Sequence, residues 1–270
     1  MLKDQKKLEE YVHQYFFPRI SESERNYLTK YFTELFSSGW ENSGGADATD
    51  GGAWTGVSNT PTVVASPVHH GNYACSFDIQ PEYCYKTFGS AYTELYMRAY
   101  VRLTTMPSAN TQEIMLYRFK NAGANQVMAA ALNNNGVNTR WGLQYRDNGW
   151  QGAASSSQQM NPSVNTWYCV EIHAKIAAGA GVYQMWVNDS ELTDITKTGI
   201  TSDYANMDRV EVGEIYRSAG WTTIVTADCV VVADRRIRCE IPLFHILRGR
   251  GGDKRLKTRY CRGYTRPPHY

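Results

Sequence analysis

The chain lacks the signatures that would name an activity at once. No apolar run approaches the length needed to cross a bilayer. Its opening residues, MLKDQKKLEEYVHQYFFPRI, are charged and carry no ordinary signal-peptide apolar region or cleavage pattern. On that basis the sequence predicts a soluble protein and leaves its compartment open. Six cysteines, at 75, 84, 169, 229, 239 and 261, form neither zinc-ligand pairs nor a dense disulfide framework. Too little helical sequence separates the strand candidates for a parallel α/β sheet. No recognition-helix or finger pattern accompanies the positive charge, which argues against a base-reading protein.

Aromatic residues are plentiful, with 7 tryptophans and 19 tyrosines in 270 residues. That length suffices for one substantial β-rich domain with appendages. The net charge of +2 is unevenly spread. Residues 235–270 hold 11 Arg or Lys against 2 Asp or Glu, while the preceding 234 residues hold 17 against 24. The basic tail is a candidate contact for an acidic macromolecule, an anionic membrane or the acidic body itself.

Residues 166–189, TWYCVEIHAKIAAGAGVYQMWVND, show the β pattern best. Tyr168, Val170, Ile172, Ala174 and Ile176 alternate with Trp167, Cys169, Glu171, His173 and Lys175, the period of a strand with one packed face. A Gly-rich turn leads into a second run, 182–187. In 94–103, Leu95, Met97, Ala99, Val101 and Leu103 supply core, while Glu94, Tyr96, Arg98, Tyr100 and Arg102 face the other way. Further strands are expected around 62–67, 72–80, 112–120, 126–132, 139–146, 209–216 and 222–233. Short strands with few helices favour an all-β, jelly-roll-like antiparallel β-sandwich.

Ahead of it, residues 4–17 read as one short helix stopped near Pro18. A second starts at Ser21, with Glu24 completing a capping box, and gathers Tyr27, Leu28, Tyr31, Phe32, Leu35 and Phe36 on one face for packing against the β-body. The expected organisation is a helical lead-in over 1–38, the β-sandwich over 39–237 and a basic extension over 238–270. Cys75 and Cys84 could close a short loop in an oxidising compartment, and Cys169 and Cys229 read as buried strand thiols.

Six landmarks occur in order: AWTG at 53–56, HHGNYACSF at 69–77, ELYMRAYVRL at 94–103, TWYCVEIHAKI at 166–176, GAGVYQMWVND at 179–189 and TADCVVVAD at 226–234. With these the chain resembles the concanavalin A-like lectin/glucanase superfamily, especially laminin-G-like jelly rolls, across roughly residues 39–237. The resemblance implies an extracellular polysaccharide- or glycan-binding domain and directs attention to Glu41 and Asp228 as calcium ligands. No organic cofactor is expected. Cys229 stands where related domains can carry a second acid.

Sugar recognition needs aromatic faces for C–H surfaces and polar groups for hydroxyls or uronates. The candidate groove residues are Tyr96, Arg98, Tyr100, Arg102, Gln144, Arg146 and His173, with Trp141, Tyr145 and Trp186 as alternatives on opposite strand faces. A polysaccharide lyase on an acidic glycan is the enzyme alternative, with Arg98 and Arg102 neutralising a carboxylate and His173 or a tyrosine moving the proton. Against it, the Gln-x-His element of alginate-lyase-like jelly rolls is missing. The run Glu211-Val212-Gly213-Glu214 does not match the paired acids of the family's glycosidases, and reads as strand-edge charge. A structural or protein-interaction β-sandwich without a sugar pocket is the third reading.

Overall fold

A computed structural model describes residues 34–41, 54–121, 123 and 125–239. Both expected helices, apart from the last residues of the second, and the extension from 240 onward lie outside the described residues. Among those described there is no helix, and sixteen strands form two sheets. In chain order they are β1 (Glu34–Ser38), β2 (Gly56–Ser58), β3 (Thr62–Val64), β4 (Ala74–Phe77), β5 (Glu82–Tyr92), β6 (Glu94–Leu103), β7 (Glu113–Lys120) and β8 (Gln126–Asn134). Then follow β9 (Thr139–Asp147), β10 (Trp150–Ser155), β11 (Tyr168–Lys175), β12 (Gly181–Val187), β13 (Ser190–Glu191), β14 (Lys197–Ile200), β15 (Met207–Arg217) and β16 (Val225–Ala233).

The nine-stranded sheet runs β13-β12-β11-β6-β16-β4-β3, with β1 on β16 and β14 on β12. The seven-stranded sheet runs β10-β9-β8-β7-β15-β5-β2. Along both of these strand orders, and between β14 and β12, neighbouring strands pair antiparallel. Strands distant in sequence lie side by side, β15 against β7 and β16 against β6, so the core closes only when the whole chain has been threaded.

One hydrophobic core lies between the sheets. The alternation expected in β6 holds: Leu95, Met97, Ala99, Val101 and Leu103 are all essentially inaccessible. Val170, Ile172 and Ala174 of β11 join them from the same sheet, and Tyr117, Phe119, Met128, Leu132 and Leu143 from the other. Trp141 and Tyr145 share the parity of Leu143 and belong to this core, so they are not available as sugar platforms.

Residues 34–38, expected at the end of a helix, are a strand. β1 pairs with β16 and buries Phe36 and Ser38 on alternate positions. Phe36 packs edge-on against Trp54, with ring centroids 4.7 Å apart. The helical spacing of Leu35 and Phe36 with the residues before them is local, and the hydrogen bonds offered by the neighbouring strand outweigh it. β5 and β10 also lie outside the strands expected from sequence, because their polar positions hide the alternation.

Candidate functional site

The candidate groove residues fall on opposite sides of the sandwich. Tyr96, Arg98, Tyr100 and Arg102 of β6 and His173 of β11 point outward from the nine-stranded sheet, with Trp186 of β12 beside them. Gln144 and Arg146 of β9 point outward from the seven-stranded sheet. The core separates the two sets.

The nine-stranded face is covered by the chain itself. Residues 234–239 cross it as a strap: the N–H groups of Ile237 and Arg238 donate to the Glu171 carboxylate at 2.6 and 3.1 Å. The Arg236 guanidinium lies 4.5 Å over the Trp186 ring. A disulfide between Cys169 and Cys239 pins the end of the strap. Next to it the His69 ring stacks on Tyr100 at 3.5 Å. Arg98, Tyr100 and His173 are left 3, 7 and 4 % exposed, so they present almost nothing to a ligand. Arg102 is spent on the 165 turn, donating to Asn165 at 2.6 Å.

His173 sits in a polar chain, with Nδ1 2.8 Å from Gln184 Oε1, Nε2 3.0 Å from Glu94 Oε1, and Tyr96 stacked at 4.0 Å. Burial lowers its affinity for a proton, against the pull of Gln184 and Glu94. A proton therefore favours the unfolded chain, and stability is expected to rise with pH up to about 6.5 and level off above it. Urea unfolding across that range should show the rise in the native protein and a weaker one in His173→Gln.

The cysteines pair differently from expectation. Cys75 and Cys84 are buried thiols in the core, not bridged to each other, while Cys169 bonds Cys239 and Cys229 is itself disulfide-bonded. Cys169 lies on the outer face, opposite Tyr100, where the strap can reach it. Glu41 and Asp228 do share an electrostatic neighbourhood. Burial, with the Glu41 charge adding to it, pushes the Asp228 carboxyl up to about 7. Asp228 accepts the N–H groups of His69 and His70 at 2.9 and 3.0 Å, and Glu41 accepts that of Asn72 at 3.0 Å. Both groups offer carboxylate oxygens, the donor type of a hard cation such as calcium.

The seven-stranded face carries a second constellation. A single row crosses all seven strands: Gly56, Tyr85, Glu211, Arg118, Ala129, Gln144 and Ala153 are register neighbours in turn. Arg209 and Lys120 pair in the next row on the same side. Glu211 is wholly buried, and three cations hold it: Arg118 Nε at 2.6 Å, Arg209 Nη2 at 2.7 Å and Lys120 Nζ at 3.3 Å. The Arg209 guanidinium also lies 3.8 Å over the Tyr85 ring. A Cβ on Gly56 would stand 2.6 Å from the Tyr85 hydroxyl, so glycine there makes room for the ring.

The electrostatics leave this cluster with an excess of positive charge, since one carboxylate faces three cations. Burial lowers the Lys120 pKa, opposed by the Glu211 carboxylate. Around the cluster runs an amide chain: Gln126 Nε2 donates to Gln144 Oε1 at 3.5 Å, and Gln144 Nε2 to Glu113 at 3.3 Å. Burial raises the Glu113 pKa, opposed by the hydrogen bond from Gln144. The Nε of Arg209 is buried without a hydrogen-bond partner. A cationic fork, a tyrosine ring and adaptable amides together suit a hydroxyl-rich ligand bearing carboxylate.

The sequence carries a trace of this site in Arg118-x-Lys120 and Arg209-x-Glu211, since residues two apart share a strand face. Reading Glu211 as edge charge misses it, because β15 is an inner strand between β7 and β5.

The two sheets define a jelly-roll-like, all-β antiparallel sandwich. Cellulose induced protein, Cip1, is similar in structure with a TM-score of 0.55 and 16% identity, covering 76% of this chain and all of that one. The receptor-binding domain of botulinum neurotoxin mosaic serotype C/D matches at TM-score 0.47 and 11% identity, over 67% of this chain and 43% of that one. A Trypanosoma rangeli sialidase matches at 0.45 and 14%, over 71% and 30%. These likenesses concern the fold alone, and the last two span less than half of the larger chains. No family model matches the sequence. No curated protein matches it either.

Proposed function

We propose that this protein binds an acidic polysaccharide or glycan on the outer face of the seven-stranded sheet, without cleaving it. The observation that carries the reading is the buried Glu211 held by Arg118, Lys120 and Arg209. The carboxylate fixes three cations in place before any ligand arrives, and their surplus charge answers a uronate or other anionic sugar. Tyr85 offers the adjoining aromatic surface, and Gln126 and Gln144 the amides for hydroxyls. Tyr96, Arg98, Tyr100, Arg102 and His173 have a supporting part in this reading, as anchors of the strap and turns. An extracellular setting accords with the Cys169–Cys239 disulfide, which persists in oxidising compartments. No helix among the described residues is long and apolar enough to cross a membrane.

The test incubates purified protein with neutral and acidic polysaccharides and follows retention and glycan mass together. Saturable retention of acidic glycans at unchanged mass, lost in Arg118→Ala and Arg209→Ala, is the expected result. Retention that survives both substitutions overturns the site. A second reading, β-elimination, is favoured by the lowered pKa of Lys120 beside two guanidinium groups. Unsaturated chain ends in the same experiment would establish it and overturn non-catalytic binding.

Calcium enters the proposal as a structural ion held by Glu41 and Asp228, where it would supply positive charge that ties the segment before β2 to the last strand. Adding calcium to chelator-treated protein is expected to raise the unfolding temperature, and Glu41→Gln to remove most of that rise. An unchanged melting temperature in the native protein rejects the ion.

A further inference from the structure

We propose that His69, His70 and Cys229 form a thiol-gated site for a zinc-like transition metal, closed while Cys229 is in a disulfide and completed when that disulfide is reduced. The inference is independent of the glycan site, which lies on the other sheet.

The ligand atoms already converge. His69 Nδ1 and His70 Nδ1 face each other at 2.5 Å, and Cys229 Sγ lies 4.0 Å from His70 Nδ1. One ligand atom from each of the three residues lies within 4.8 Å of the other two. A metal ion takes a lone pair from each of the two ring nitrogens once the rings turn apart to the spacing of roughly 3.3 Å that two tetrahedral metal–nitrogen bonds require. Imidazole nitrogen with thiolate sulfur is the donor set of zinc and of its spectroscopic substitute cobalt, not of calcium. Three protein ligands also leave a fourth position for water, the arrangement of open rather than closed zinc sites.

The surroundings hold these groups in place. Asp228 accepts the main-chain N–H of both histidines, which fixes the turn they stand on. The His69 ring is stacked on Tyr100, with the Trp167 edge 5.7 Å away. The register of β16 against β6 slips between Asp228 and Val231, and Cys229 adopts φ 52°. The bulge replaces strict alternation, which would send neighbouring residues to opposite faces, and the Cys229 sulfur reaches the His70 side as a result.

Cys229 is disulfide-bonded, and a disulfide sulfur is a poor ligand beside a thiolate. A dithiol reductant transfers two electrons and two protons to that disulfide, yielding two protein thiols and the oxidised dithiol. The Cys229 thiol then releases its proton to solvent as the metal–sulfur bond forms.

The experiment uses the full chain carrying Cys169→Ser and Cys239→Ser, which removes the competing thiols of the strap. The protein is reduced with a dithiol, desalted anaerobically and titrated with Co2+. The expected result is a thiolate-to-cobalt charge-transfer band that saturates at one ion per chain and is displaced by Zn2+. The band should be lost in Cys229→Ser, and affinity should fall about tenfold or more in His69→Ala or His70→Ala. Without reduction the band should be absent. No band after reduction, equal binding before reduction, or full affinity in both histidine variants overturns the proposal. If the strap variant does not fold, the histidine ring resonances of the native chain are followed by NMR. Zn2+ should then shift the His69 and His70 signals only after reduction, and unmoved signals overturn the site.

Discussion

Replacing Glu211 with alanine is expected to lower the unfolding free energy by about 3–5 kcal/mol, because it strands buried cations around an empty centre. Arg118, Lys120 and Arg209 all point at this one carboxylate, and their side chains are only 19, 10 and 21 % exposed. They cannot turn fully into water without leaving their strand rows. In thermal terms the loss is on the order of 10 °C for a domain of this size. Glu211→Gln keeps the shape and some hydrogen bonding, so its loss should be smaller, and the difference between the two isolates the charge. Urea unfolding measures both. A loss below about 1 kcal/mol for alanine would mean that the cations reach solvent freely, and the cluster would then be a surface network of ordinary strength.

Removing the strap disulfide with Cys169→Ser and Cys239→Ser should cost about 2–4 kcal/mol, by loosening the unfolded chain across a separation of 70 residues. The hydrogen bonds from Ile237 and Arg238 to Glu171 then hold the strap alone. Arg236 is expected to leave Trp186 more often, shifting tryptophan emission to the red and making the outer face of β6, β11 and β12 accessible to aromatic-seeking dyes. An unaltered unfolding midpoint would show that the strap is held by its hydrogen bonds and packing rather than by the bond between the sulfurs. Gain of glycan retention by this variant would revive the nine-stranded face as a sugar platform, because Tyr96 and Trp186 would then be uncovered.

The two faces show how far a pattern of two reaches. In β6 the alternation separates Leu95, Met97 and Ala99 from Tyr96, Arg98 and Tyr100 correctly, because the side-chain period is a local property of an extended chain. It cannot tell an open outer face from a covered one. Arg98 and Tyr100 point away from the core and are nevertheless buried, by a strap that joins β6 only in three dimensions. Glu211 was legible as an acid two residues from Arg209, but Arg118 and Lys120 stand about ninety residues earlier. Only the pairing of β15 with β7 brings them to it.

The cysteines make the same point. Cys75 and Cys84 are close in sequence and invite a bridge, yet both face inward as reduced thiols. Cys169 finds Cys239, because the chain leaving β16 turns back over β11.

By itself, then, the amino-acid sequence determined an all-β chain and the core-facing half of its main strands. Alternation and turn residues act over a few positions, and that is enough for those features. The strand order, the cation cluster around Glu211, the strap and the cysteine pairing were decided only by the tertiary structure. Each depends on which distant strands exchange backbone hydrogen bonds, and that choice is made by the closing of the common core.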